Sequence, residues 1–166
     1  RINSAADDAA GMAVSEAMNA DLRSMDAASR NANDAISVLQ TAEGSLGQMT
    51  DILTRMKELS VQANSDVLTN DQRDNLDQEF TQLQTEFDGL ATSTEFNGTA
   101  LLDGTATGAG AIDIQIGKDS TDSISLDFAD MTAATLGVDS GSIDLSNAGD
   151  PAAAQTAIDT ALNSVL

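Results

Sequence analysis

The chain has 166 residues, of which 7 are Lys or Arg and 27 are Asp or Glu, so its formal net charge is -20. This charge opposes binding to nucleic acid and to anionic membrane surfaces, and no apolar run approaches the ~20 residues that cross a bilayer. His, Cys, Tyr and Trp are absent, which excludes imidazole bases, thiol nucleophiles, disulfides and most metal sites.

The first predicted element is a long helix over residues 12–64, opened by Gly11 and followed by the polar run Asn64–Asp66. Its apolar residues recur at an average step near 3.5, which is typical of a coiled-coil seam. The predicted seam consists of Met18, Leu22, Met25, Ala28, Ala32, Ile36, Leu39, Ala42, Leu46, Met49, Leu53, Met56, Leu59 and Ala63. A helix of this length would be a rod of roughly 80 Å. Val38, Ile52 and Val61 fall off the seam, which suggests more than one packing partner.

A second helix is predicted over residues 69–93, because Thr69 and Gln72 have the spacing of a capping box. Its apolar residues repeat with the same period, at Leu76, Phe80, Leu83, Phe87 and Leu90. The short connection between the two helices predicts an antiparallel helical hairpin.

Residues 95–149 are predicted to form a β-hairpin region and an irregular connection. Asn97-Gly98 is a strong turn signal. Alternating apolar residues predict two strands, one with Ile112, Ile114 and Ile116 and the other with Ile124, Leu126 and Phe128, joined by a loop over 117–122. Residues 129–149 carry no such pattern and are predicted to be irregular.

The last predicted element is a helix over residues 150–166, with Asp150 as N-cap and Pro151 as its first residue. Its apolar face contains Ala154, Ile158, Leu162 and Val165, and we expect the pattern to continue past Leu166. Because the sequence has neither an initiator Met nor a signal peptide, we expect a fragment of a single domain spanning 1–166.

Several residue groups could carry chemistry, but each has a simpler interpretation. The carboxylate pairs Asp7-Asp8 and Asp74 with Asp77 are expected to be solvated surface. Asp113, Asp119 and Asp122 could gather at the hairpin and bind Ca²⁺, but their spacing matches no calcium motif. Asn97-Gly98-Thr99 matches a glycosylation acceptor, but a turn explains the same residues more simply.

The methionines of the first helix are interpreted as core residues, and they are Met12, Met18, Met25, Met49 and Met56. No catalytic residue, metal or cofactor is predicted. Function is therefore expected to lie in interactions along the helical surface.

Three stretches closely resemble bacterial flagellin over about the first 103 residues: RINSAADDAAGMAVSEAM, SRNANDAISVLQTAEGSLGQMTDILTRMKELSVQAN and TEFNGTALLDG. The segment TAATLGVDSGSIDLSNAGDPAAAQTAIDTALNSVL resembles, less specifically, the flagellin stretch that leads into the C-terminal core helix. The resemblance implies a mainly α fold with a small β-hairpin region, arranged as an elongated antiparallel helical bundle, the rod-shaped core domain.

The resemblance also implies partners and a location. They are other flagellin subunits in an extracellular motility filament, an export chaperone for the full-length protein, and Toll-like receptor 5. The fragment itself is expected to be monomeric, since the terminal segments that polymerise flagellins are missing. The residues alone leave open a second class, a helical adhesin or sensor stalk.

The implied receptor and filament contact patch comprises Arg55, Glu58, Leu59 and Glu79, within and near the motif LTRMKELSVQ. In that motif Thr54, Lys57 and Ser60 replace the commoner Gln, Arg and Ala of the family. An alternative interpretation is that the charges are ordinary solvated side chains and that Leu59 belongs to the core.

Overall fold

A computed structural model describes residues 8–106, 110–146 and 150–166. Helix α1 is Ala9–Ala63, α2 is Asn70–Ser93, α3 is Ala133–Leu136 and α4 is Pro151–Val165. Strands β1 (Glu95–Phe96) and β2 (Thr99–Ala100) form one antiparallel pair, and β3 (Ile112–Gln115) and β4 (Ser123–Leu126) form another. The predicted fold class, mainly α with a small β-hairpin region, is confirmed.

The chain packs as two compact units, and α1 contributes to both. The first unit contains the chain up to Val38 together with Ile112–Leu126, and the second contains Leu39–Ala111 and Asp127–Leu166. The single-domain boundaries stay a prediction.

In the first unit, the predicted β3–β4 hairpin is present, with Ile112 opposite Leu126 and Ile114 opposite Ile124. The strands are shorter than predicted, since Ile116 and Phe128 lie outside them. The Asn31 side chain of α1 donates a hydrogen bond of 2.9 Å to the Gln115 carbonyl, which fixes β3 beside the helix. Lys118 lies 3.0 Å from the Asp21 carboxylate, and this hydrogen bond raises the pKa of the lysine. The hairpin is therefore attached to α1 by polar contacts.

In the first stretch of α1, the predicted seam residues up to Met25 are exposed and not buried. Asp8, rather than Gly11, caps the helix by accepting the Gly11 N–H at 2.8 Å, so the helix begins earlier than predicted. The core assignment of Met12, Met18 and Met25 is wrong, because these side chains are 47%, 63% and 54% exposed. In the part of this unit that the structure describes, the partner of α1 is one small hairpin, which covers only a narrow strip of the helix.

The second unit contains the main hydrophobic core, and here the seam is confirmed from Ala42 onward, whereas Leu39 is 46% exposed. Ala42, Met49, Met56 and Ala63 are buried at intervals of seven residues. Ile52 is buried as well, although it lies off the seam, so the buried face of α1 is wider than a single line. The other helices contribute Phe80, Phe87, Ala91, Ala154, Ile158 and Ala161 to the buried residues.

Helices α1 and α2 run antiparallel, as predicted. The capping box of Thr69 and Gln72 is present, although Thr69 precedes the helix and Asn70 is its first residue. Arg73 of α2 donates to the Ala63 carbonyl at 2.6 Å and to the Ser65 carbonyl at 3.0 Å, which satisfies acceptors at the C-terminal end of α1.

Replacing Arg73 by alanine should lower the free energy of unfolding by about 1–3 kcal/mol, because two partly buried carbonyls would lose a charged donor. Urea denaturation followed by circular dichroism measures the change. Arg23→Ala, at an exposed position of α1, is the control and should change stability by less than ~0.5 kcal/mol. Equal stability of the two variants would show that the cap contributes nothing.

The Asn97-Gly98 turn is confirmed. It joins β1 to β2, whose ladder has only two residue pairs, Glu95 with Ala100 and Phe96 with Thr99. Asn97 (φ 51°) and Gly98 (φ 78°) both have left-handed backbone conformations, as a two-residue type I′ turn requires.

The prediction that residues 129–149 are irregular is wrong at Ala133–Leu136, which form α3. Gly137 ends this helix in the left-handed conformation (φ 68°). Asp130 accepts hydrogen bonds from the Thr132 N–H at 2.9 Å and the Thr135 hydroxyl at 2.7 Å, and these bonds lower the pKa of its carboxyl group. Residues 147–149 of the predicted connection lie outside the described residues.

Three polar side chains of α2 hold this connection through its backbone. Asp77 accepts the Leu145 N–H at 2.8 Å, and Asp88 accepts the Ala133 N–H at 3.1 Å. Between them, the buried Gln84 donates to the carbonyls of Val138 at 2.9 Å and Ile143 at 3.2 Å. Helix α2 therefore positions the connection without a sheet.

Helix α4 begins as predicted. Asp150 accepts the N–H groups of Ala152 at 3.0 Å and Ala153 at 3.1 Å, and Pro151 is the first helical residue. Ala154, Ile158 and Val165 are buried, and Leu162 is half-buried. Among the described residues, no helix combines the length and the apolar character that spanning a membrane requires.

Candidate interaction surface

The candidate surface is built on one stretch of α1, residues 52–60. Its buried side is formed by Ile52, Leu53, Met56, Leu59 and Ser60. The helical period then places Arg55, Lys57 and Glu58 toward solvent. The same turns of α1 therefore anchor the core and display charge.

Arg55 joins two carboxylates at the surface. Its Nε and Nη2 atoms donate to Oε1 of Glu79 on α2 at 2.9 Å and 2.7 Å, and its Nη1 donates to Oε2 of Glu58 at 2.9 Å. The hydrogen bond to Glu79, followed by that to Glu58, raises the pKa of the Arg55 guanidinium. These three residues, named here the Arg55 cluster, hold one fixed arrangement of charge.

The Arg55 cluster remains open to solvent. The side chains of Arg55, Glu58 and Glu79 are 49%, 62% and 44% exposed. Ion pairs at such exposure contribute little to stability, since water screens the attraction. The cluster therefore adds little to the stability of the fold.

Of the four residues predicted for the contact patch, the structure brings three together at the surface. Leu59, the fourth, has no exposed surface, in agreement with its place on the seam. It supports the turn that carries Glu58 and Arg55, and it cannot itself touch a partner in this conformation.

A second ion pair extends the charged surface to a third helix. Lys57 of α1 bonds to the carboxylate of Asp159 on α4. Sequence reasoning did not find this pair, because the two residues are 102 positions apart and neither belongs to a local motif. Residues 55–58 thus have ionic contacts with both α2 and α4.

The other candidate sites have structural roles. Asp122 accepts the Asp119 N–H at 3.2 Å inside the β3–β4 turn, and no group of three acidic residues suited to a metal ion occurs in the described ranges. Asp77 binds the Leu145 backbone, as described above. Asp7, of the predicted pair Asp7-Asp8, lies outside the described residues.

Comparison with known proteins gives a consistent set of relatives. Residues 1–107 match the family described as the bacterial flagellin N-terminal helical region. The flagellin of Halalkalibacterium halodurans is 38% identical over 165 residues, covering 99% of this chain and 60% of that protein. The Bacillus subtilis flagellin is 44% identical over 147 residues, covering 83% of this chain and 48% of that protein.

A comparison with solved structures gives the same family as the sequence comparisons. The crystal structure of Bacillus cereus flagellin superposes with a TM-score of 0.67 at 34% identity, covering 82% of this chain and 76% of that chain. The chain thus spans between about half and three fifths of the length of these two relatives from Bacillus subtilis and Halalkalibacterium halodurans.

Proposed function

This chain belongs to the bacterial flagellin family, and on that premise we propose that it is part of a structural subunit that assembles into the extracellular flagellar filament. The family match over residues 1–107 carries the proposal. The partners are then other flagellin subunits and, before secretion, an export chaperone. The role is mechanical, so no catalytic activity and no cofactor are proposed.

An exposed apolar face on α1 supports assembly. Val14, Met18, Leu22 and Met25 recur at helical spacing, and all four are more than half exposed. Contiguous apolar surface of this kind marks a place where protein meets protein. The adhesin or sensor alternative has no comparable observation in its favour.

The test is a chimera. Replacing the matched region of the Bacillus subtilis flagellin by this chain, in a strain without its own flagellin, should restore filaments in electron micrographs and swimming. A chimera with Phe80→Asp, which places a charge in the core, should form none. An unmutated chimera that is exported but stays monomeric would contradict the proposal.

We also propose that the Arg55 cluster is a contact surface for Toll-like receptor 5 and for neighbouring subunits. The guanidinium and two carboxylates are exposed, oriented by each other, and carried by core-packed helices. Such preorganised charges bind with little loss of side-chain entropy. Leu59 supports this surface from below.

In a receptor reporter-cell assay, Arg55→Ala and Glu79→Ala should each raise the concentration for half-maximal signalling by roughly tenfold or more, as at other arginine-centred hot spots. Glu86→Ala, at an exposed position of α2 outside the cluster, should signal like the unmutated protein. Circular dichroism should show equal helicity for all four proteins. Equal signalling would remove the proposed surface.

A further inference from the structure

The tip of the β1–β2 hairpin combines a reactive sequence with an accessible backbone. Asn97 is the one residue other than glycine with a positive φ among those described, and both it and Gly98 are exposed. A side-chain carbon added at Gly98 would meet no atom within 4 Å. Glycine also has no side chain that could crowd the peptide nitrogen between the two residues.

We propose that Asn97-Gly98 is a site of spontaneous deamidation. The Gly98 backbone nitrogen, after losing its proton to base, attacks Cγ of Asn97. The new C–N bond closes a succinimide ring, and the Cγ–Nδ2 bond breaks to release ammonia. Water then opens the ring at Cγ to give aspartate, or at the backbone carbonyl to give isoaspartate.

The β1–β2 hairpin can open enough for the Gly98 nitrogen to approach Cγ of Asn97. The turn conformation must open first, and only two ladder pairs resist it. Asn97 also has a left-handed conformation that costs a non-glycine residue about 1 kcal/mol or more. Beyond the ladder, Thr94 and Leu101 are buried and joined by a 3.0 Å hydrogen bond, so opening can stay local.

An asparagine inside a helix is less favourably placed. Asn163, which precedes Ser164, is exposed like Asn97 but lies inside α4, where the helical backbone keeps the following nitrogen away from the side chain. Asn163 also precedes a residue whose side chain crowds the nitrogen. It is therefore an exposed internal reference with lower expected reactivity.

Deamidation of Asn97 changes the charge and the backbone of the β1–β2 hairpin. Either product adds a carboxylate two residues from Glu95, in a chain that already has a net charge of -20. Isoaspartate also lengthens the backbone by one carbon, and a type I′ turn cannot contain this extra atom and keep its two-residue register. The change is confined to the surface, since the neighbouring core residues Leu101 and Leu102 are outside the turn.

The test is incubation of the full chain at 37 °C and neutral to mildly alkaline pH, followed by peptide mapping by mass spectrometry and by enzymatic methylation of isoaspartate. Modification at Asn97 should exceed that at Asn163 several-fold, and its rate should rise with hydroxide concentration. Asn97→Gln should remove most of the methylation signal, because glutamine closes the corresponding larger ring far more slowly.

Two results would overturn the proposal. One is an Asn97 that stays intact in the folded chain while the same peptide deamidates in urea, since the hairpin would then protect it. The other is a methylation signal of undiminished size in Asn97→Gln, which would place the reactive residue elsewhere.

Discussion

Met56→Ala is expected to lower the free energy of unfolding by about 2–5 kcal/mol, whereas Met18→Ala should change it by less than ~0.5 kcal/mol. Both methionines lie on the predicted seam of one helix. Met56 is fully buried and Met18 is 63% exposed, so only the first substitution leaves a cavity. Because both variants replace Met by Ala in the same helix, residue type and helix propensity are matched. The difference in stability between them therefore reports the effect of burial.

Urea denaturation followed by far-ultraviolet circular dichroism measures both variants, since the chain has no Trp or Tyr to report by fluorescence. A loss near 2 kcal/mol or more in Met18→Ala would mean that the first stretch of α1 is covered in solution. A loss below 1 kcal/mol in Met56→Ala would contradict the core of the second unit.

The second large effect is expected at Gln84. Gln84→Ala should destabilise the protein by about 2–3 kcal/mol, because the carbonyls of Val138 and Ile143 would lose their side-chain donor in a buried place. The same change should loosen the connection that ends at α4. Hydrogen exchange at residues 138–146 measures this second effect directly.

Gln82→Ala is the matched control, since Gln82 lies two residues earlier on α2 and is exposed. Its stability should stay within ~0.5 kcal/mol of the unmutated chain. If both glutamine variants behave alike, the Gln84 bonds do not hold the connection, and its position must come from the Asp77 and Asp88 bonds and from apolar packing.

The proposed contact patch shows what the resemblance to flagellins could and could not predict. The resemblance grouped Arg55, Glu58 and Glu79, and these side chains do lie together at one surface, because the helix period and the antiparallel hairpin bring them near each other. It could not show that Leu59 is fully buried, since the motif carries no measure of depth. Nor could it reveal the Lys57–Asp159 pair, whose partners meet only after α4 packs against α1.

The sequence by itself determined the helices α1, α2 and α4, the caps at Thr69 and Asp150, the Asn97-Gly98 turn and the β3–β4 hairpin, because each depends on neighbours a few residues apart. The β1–β2 pair was not predicted, since two residues a strand are too few for an alternating pattern. The tertiary structure alone decided which part of the long seam is covered. A 3.5-residue period is the same at Met18 and Met56, but only Met56 lies in the buried core of the second unit. The tertiary structure also decided the path of residues 129–146. Hydrogen bonds from Asp77, Gln84 and Asp88 hold this segment in place, and these residues are far from it in the sequence.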